Sequence, residues 1–310
     1  MVIRRTSGLV VELSTVYVAP NTRPRRNKRK GTTTAEKQDE NEKNCVKVLA
    51  RWMNCNYAYG DLLLTLKYDN EGLARVEQWA EEHQEEGQPW EDAVLDAAER
   101  EGKNALRRMK REFDKAGIPF RSLLVTSDRD GKTGTKPRRV HHHVLVPRLA
   151  WETVAKKWGL GTVDYQILPA IPDFTPIAAY WMRQVRRREG KKKYTPSRNL
   201  KPPVVNQRWA KPGEVLKPDR RGNLVDRNEW TPGAPQYIRF VKAGAEGGRQ
   251  EDGEPMEFSD TARRERVGAS CAGTSEAAEP GGTGPGVFRQ TGRKRNGTAG
   301  DGGNEDREGR

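Results

Sequence analysis

The sequence fits an α+β fold built on an antiparallel sheet, and three observations lead there. Short apolar, β-branched runs recur between residues 9 and 241 and read as strands. Two of them, near 123–128 and 140–146, are joined by the Gly-rich segment GKTGTKP at 131–137, which makes them a hairpin. Longer stretches with apolar residues at helical spacing lie between other runs, notably 90–115, where Leu95, Ala98, Leu106, Met109 and Phe113 form one stripe.

Composition sets the outer bounds. Of 310 residues, 34% are hydrophobic and 32% charged, too polar for a chain that folds throughout. The 57 Lys and Arg against 43 acids give a net charge of +14, which points to a polyanionic partner, nucleic acid before membrane. No apolar run is long enough to span a bilayer and the N-terminus lacks a secretory h-region. Three cysteines without CxxC spacing argue for a reducing, cytoplasmic setting and against a disulfide framework or cysteine-rich zinc site.

Taken in order, 9–18 is a short strand, and 21–44, basic and then acidic, is a flexible arm. Residues 45–53 form a short helix or strand. DLLLTLKY (61–68) is apolar on both faces, hence a central strand, with Thr65 and Lys67 sharing one face. Helices are expected at 72–86 and 90–115, a short one at 150–157, a strand at 162–168 and a last strand at 237–241. Thr175 followed by Pro176 reads as an N-cap and first helical residue, with the helix running to Gly190. On it Ile177, Trp181 and Val185 make the buried stripe, while Tyr180, Arg183 and Arg187 share another face. Residues 186–193, with Lys191, Lys192 and Lys193, and the following loop with Arg198 and Asn199, are phosphate-contacting in type; a solvated charge run is the alternative. From 243 onward the composition supports no core, and disorder is expected.

Three of the four histidines lie side by side in VHHHVLV, 140–146. Strand alternation sends Val140, His142, Val144 and Val146 one way and His141, His143 and Leu145 the other. Two imidazoles next but one on a face suit two ligands of one divalent ion. Asp128 and Asp130 lie near enough to offer a third, oxygen ligand, or else serve the turn.

These pieces resemble the HUH endonuclease superfamily, and within it the rolling-circle replication initiators of bacterial phages, plasmids and integrated elements. The match covers about 45–205. YGDLLLTLKY (59–68) resembles the first motif, His141-His142-His143-Val144 the metal motif, Trp158-Gly159 a common connector, and Tyr180-Trp181-Met182-Arg183 with Ser197-Arg198-Asn199-Leu200 the nucleophile motif and its loop. The chain departs from the pattern in having Arg183 where Lys is usual, Lys67 where Thr is usual, Ser127 at a position often acidic, and a single tyrosine in its motif.

The resemblance implies an antiparallel sheet with helices on one face. The implied organisation is an N-terminal strand and arm (1–44), a nicking domain (45–205), an extension of the core (206–242) and a disordered tail (243–310). It implies Mg²⁺ or Mn²⁺ on His141 and His143 with Asp128, Tyr180 as nucleophile assisted by Arg183, and DNA contacts from Thr65, Lys67, Arg187, Lys191, Lys192, Lys193, Arg198 and Asn199. The expected partner is single-stranded DNA at a replication origin, with host helicase and polymerase beside it. A conjugative relaxase would use the same chemistry, and a non-catalytic nucleic-acid-binding protein would use the histidines structurally. A fused helicase is not expected, because no complete Gly-x-x-x-x-Gly-Lys-Ser/Thr phosphate loop is present.

Overall fold

The computed structural model describes residues 1–18, 35–188, 191–229 and 234–242. All belong to one of the chain's two compact units, Met1–Gly268; the other, Ala269–Arg310, and with it the expected disordered tail, lies outside the described residues.

The fold is α+β, with two antiparallel five-stranded sheets. In chain order the elements are β1 (Val2–Ser7), β2 (Val10–Thr15), α1 (Ala35–Asn56), β3 (Leu62–Tyr68), α2 (Asn70–His83), α3 (Trp90–Lys115), β4 (Leu123–Arg129), β5 (Pro137–Val146), α4 (Trp151–Ala155), β6 (Gly161–Ile167), α5 (Thr175–Arg183), β7 (Thr195–Pro196), β8 (Val204–Arg208), β9 (Asn223–Arg227) and β10 (Tyr237–Val241).

The first sheet has the order β6-β3-β5-β4-β7. β3 and β5 are interior strands because both of their faces are apolar. Leu62, Leu64, Leu66, Val144 and Val146 pack with α2 and α3, whereas Leu63, Leu123, Val125 and Leu145 pack with α1 and α5. Helices thus cover both faces, not one as expected from sequence. The reason lies in α1 and α5, whose Leu49, Met53, Ile177, Ala178 and Trp181 are all buried and close the second face.

The second sheet has the order β8-β1-β2-β10-β9; of its strands, β2 and β10 match the runs expected at 9–18 and 237–241, and the sheet they build was not expected. Its inner face meets α1 through a polar seam: Arg51 pairs with Glu12, Tyr237 Oη donates to Glu12 at 2.7 Å, and Lys47 Nζ lies 3.6 Å from the Tyr237 ring centroid. Its outer face carries Val11, Leu13, Ile238 and Phe240, covered by Leu216. The layers run α2/α3, first sheet, α1/α5, second sheet.

Two further elements differ from their expectation. The acidic half of the expected arm is helical, since α1 begins at Ala35; Ala, Glu, Lys and Gln there are good helix formers. The helix expected to reach Gly190 stops at Arg183, and Gly190 lies outside the described residues. At its start the capping acceptor is Asp173, which takes the Thr175 N–H and hydroxyl at 2.9 and 2.6 Å. Thr175 is the first helical residue. Strand β8 (Val204–Arg208) runs across residue 205 and pairs with β1, and β9 pairs with β10. Among the described residues no helix is long and apolar enough to cross a membrane.

Candidate functional site

Register alone assembles the centre. β3 pairs with β5 so that Thr65 faces His143, Leu66 faces His142 and Lys67 faces His141. On the other side of β3, Thr65 faces Asp164. The alternation expected of the histidines holds. His141 and His143 share a face, with ring centroids 5.0 Å apart, and that face looks toward α5. His142 points the other way into the core, beside Tyr68 and Trp158.

His142 has a full set of partners. Its Nε2 lies 2.8 Å from Tyr68 Oη and its Nδ1 3.0 Å from Thr126 Oγ1. Hydroxyls can donate or accept, so both nitrogens of a neutral ring are satisfied. Burial, with a smaller push from His141, holds its pKa down to about 3, so the ring stays neutral.

His143 is different. Its Nδ1 is 3.4 Å from Thr65 Oγ1, while its Nε2 is buried without a hydrogen-bond partner. Its ring stacks on Trp181 at 5.4 Å and 14°, which fixes its plane. Burial first, then His141, lowers its pKa to about 3, with Gln184 opposing weakly. A neutral, buried imidazole with an unused nitrogen costs free energy unless something takes the lone pair. Tyr180 lies on the same side, its ring centroid 6.2 Å from that of His143.

Gln184 is the residue the sequence did not single out. It is buried, and its Oε1 lies 3.3 Å from His141 Nε2. Its Nε2 donates to the Tyr180 carbonyl at 3.3 Å. The one available signal was its place four residues after Tyr180, one turn on. Ser127, opposite His141 in register, adds a buried oxygen without a hydrogen-bond partner.

Asp128, expected as the third ligand, is engaged elsewhere. Its carboxylate sits 3.1 Å from Arg186 and 3.8 Å from Arg129. Among the described residues no three His, Cys, Asp or Glu side chains gather as metal ligands would. Asp130 serves the turn. It accepts from the Thr133 and Lys136 N–H groups at 2.7 and 2.9 Å and from the Thr133 hydroxyl. The Thr133 N–H foremost holds its pKa far below the usual carboxylate range.

Arg183 does not extend toward the histidines. Its Nη1 donates to the carbonyls of Gly131 and Lys132 at 3.1 and 3.2 Å. Gly131 lies so close to Tyr180 that a Cβ there would sit 2.5–2.7 Å from the ring and hydroxyl.

The expected DNA-contacting residues separate into groups. Lys67 pairs with Asp164. Asp92, Asp96 and Glu99 of α3, at helical spacing on one face, take the basic segment that follows α5. Asp92 pairs with Arg186, Asp96 with Arg188 and Lys191, and Glu99 with Arg188. Lys193 pairs with Glu42 of α1 at 3.0 Å. Asn199 anchors its loop by donating to the Phe120 carbonyl at 2.7 Å. Arg187, Lys192 and Arg198 are exposed, and Arg187 lies beyond the end of α5.

Comparison of the chain with family models, with curated proteins and with solved structures gives no match.

Proposed function

We propose that this protein nicks and rejoins single-stranded DNA in a metal-dependent reaction through Tyr180, as a rolling-circle replication initiator of the HUH class. The observation that carries the reading is the buried His143 Nε2, which makes no well-formed hydrogen bond although Gln184 acts on the ring, on the same face as His141 and with Tyr180 beside it on α5. A merely structural histidine would be satisfied as His142 is.

The donors fit a divalent cation. His141 and His143 offer imidazole nitrogens, and Gln184 Oε1, already beside His141, offers the oxygen first sought in Asp128. Bound there, Mg²⁺ or Mn²⁺ would draw charge from a non-bridging phosphate oxygen and stabilise the charge developing in transfer. The protein's own groups do the rest. Trp181 fixes the His143 plane, Thr65 meets its other nitrogen, and α5 holds Tyr180 in place for in-line attack. The Tyr180 oxygen bonds to phosphorus as it gives its proton to solvent, and the bond from phosphorus to the 3′-oxygen breaks. That oxygen leaves as a 3′-hydroxyl after taking a proton from water. The 5′-phosphotyrosine keeps the bond energy, so the reverse attack reseals the strand without ATP.

The test is incubation with a pool of single-stranded oligonucleotides and Mn²⁺, read as a protein–DNA adduct on a denaturing gel. The wild type should form it, and Tyr180→Phe, which removes one hydroxyl, should not. Mass spectrometry that finds the nucleotide on Tyr194 or Tyr165 would overturn the residue assignment. A wild type that forms no adduct across the pool would overturn the enzyme reading.

A further inference from the structure

After α5, Arg186, Arg188, Lys191 and Lys193 are occupied by carboxylates, among them those of α3 and α1, which leaves Arg187, Lys192 and Arg198 exposed; a second set of open cations lies on the β4–β5 hairpin. Residues 129–139, RDGKTGTKPRR, hold five cations and one acid. They form the end of β4, the turn and the start of β5. Lys132, Lys136 and Arg138 are exposed, and among the described residues their side chains make no ion pair or hydrogen bond. The lone acid, Asp130, is turned inward on the Thr133 and Lys136 N–H groups. Its charge shapes the turn from within.

This finger is fastened to the helix of Tyr180. Arg129 N–H donates to the Gln184 carbonyl at 3.2 Å, and Arg183 holds the carbonyls of Gly131 and Lys132. Gly134, at φ +72°, lies where a Cβ would meet the Arg183 carbonyl oxygen at 2.5 Å. Gly131 touches the Tyr180 ring. The distance from the finger's cations to the tyrosine is set by these contacts and does not depend on a loose loop.

We propose that the β4–β5 hairpin is the surface that seats the phosphates of a single-stranded nucleic acid, through Lys132, Lys136 and Arg138, next to Tyr180. Arg183 is then a positioning residue that joins the finger to the nucleophile's helix. The proposal deepens the functional reading above and rests on it only for the role of Tyr180. Cations without partners, in a polar stretch of Thr, Gly and Pro, suit a phosphate backbone better than a lipid surface, since the finger has no apolar residue to insert.

The experiment measures binding of a fluorescent single-stranded oligonucleotide against salt concentration. Each phosphate contact on a single strand contributes about 0.7 to the slope of log K against log salt. The variant Lys132→Ala/Lys136→Ala/Arg138→Ala should lower that slope by about 2. A charge-matched control on the second sheet and its loop, Lys217→Ala/Arg220→Ala/Arg227→Ala, should leave it near the wild-type value. Lys132→Glu alone supplies a second, minimal change and should weaken binding more than Lys132→Ala. Equal losses in both triple variants, or no loss in the hairpin triple, would overturn the proposal. So would a hairpin triple that loses binding to anionic phosphatidylserine vesicles and not to the oligonucleotide. Binding is read apart from adduct formation. A hairpin that grips the oligonucleotide in a protein that never forms an adduct keeps the interface and removes the enzyme.

Discussion

Tyr68 Oη and His142 Nε2 meet at 2.8 Å inside the core, on the side of the first sheet away from Tyr180. This bond separates the three neighbouring histidines into one that holds the fold and two that face the site. His142→Ala should remove two buried hydrogen bonds and open a cavity, costing about 3 kcal/mol in urea unfolding. At a temperature where it stays folded, the variant should still bind Mn²⁺, whereas His143→Ala should not. A folded His142→Ala that loses Mn²⁺ while His141→Ala keeps it would reverse the face assignment.

Gln184 should contribute to the site alongside the histidines. Gln184→Ala should weaken Mn²⁺ binding by at least about tenfold, by analogy with losing a group that orients or completes a metal site. Gln184→Glu should bind the ion more tightly, because ligand charge raises affinity for hard cations. Calorimetry of Mn²⁺ binding distinguishes these. An unchanged affinity in Gln184→Ala would show that the oxygen donor comes from elsewhere.

The site was legible where it depends on local period. VHHHVLV told which histidines share a face, and LLLTLKY told that its strand is central. What stayed hidden depends on pairing across long separations. β8 and β9 carry Arg, Asn, Gln and Asp among their apolar residues; β8 becomes a strand through β1, some two hundred residues earlier, and β9 through β10. The basic run after α5 looked like a phosphate surface because its partners, Asp92, Asp96 and Glu99, belong to a helix about ninety residues earlier. No spacing in the sequence announces an ion pair of that range.

Arg183→Ala should free the turn and leave the helix intact. Trypsin should then cut after Lys132 about tenfold faster, the equivalent of one charge-assisted hydrogen bond. Adduct formation should slow at low oligonucleotide concentration and recover at saturation, because a finger that is held less well weakens binding and leaves the reacting atoms alone. A defect that persists at saturation would put Arg183 on the reacting phosphate instead.

Tyr57 gives a pH-dependent prediction. Its hydroxyl is buried without a hydrogen-bond partner, and burial pushes its pKa well above the ordinary value near 10. A raised folded pKa on a phenol stabilises the fold below the unfolded value and gives that up as pH rises through the folded one. Tyr57→Phe should gain about 1 kcal/mol at neutral pH, since an unmet polar group is removed. It should also move alkaline unfolding, followed by circular dichroism, to higher pH. A loss of stability at pH 7 would mean that the hydroxyl is satisfied in solution.

The interleaving of the second sheet bears on how the chain is made. Val2 pairs with Arg208 and Ser14 with Tyr237, so β1 and β2 are synthesised some two hundred residues ahead of the strands that complete their pairing. Until β8 and β10 arrive, the hairpin of β1 and β2 presents two open edges, the templates on which strands of other chains pair. Closure across such separations is slow. The nascent protein must therefore carry a half-built sheet while the first sheet and its helices are made, and its vulnerability in that interval lies at the two unpaired edges of β1 and β2.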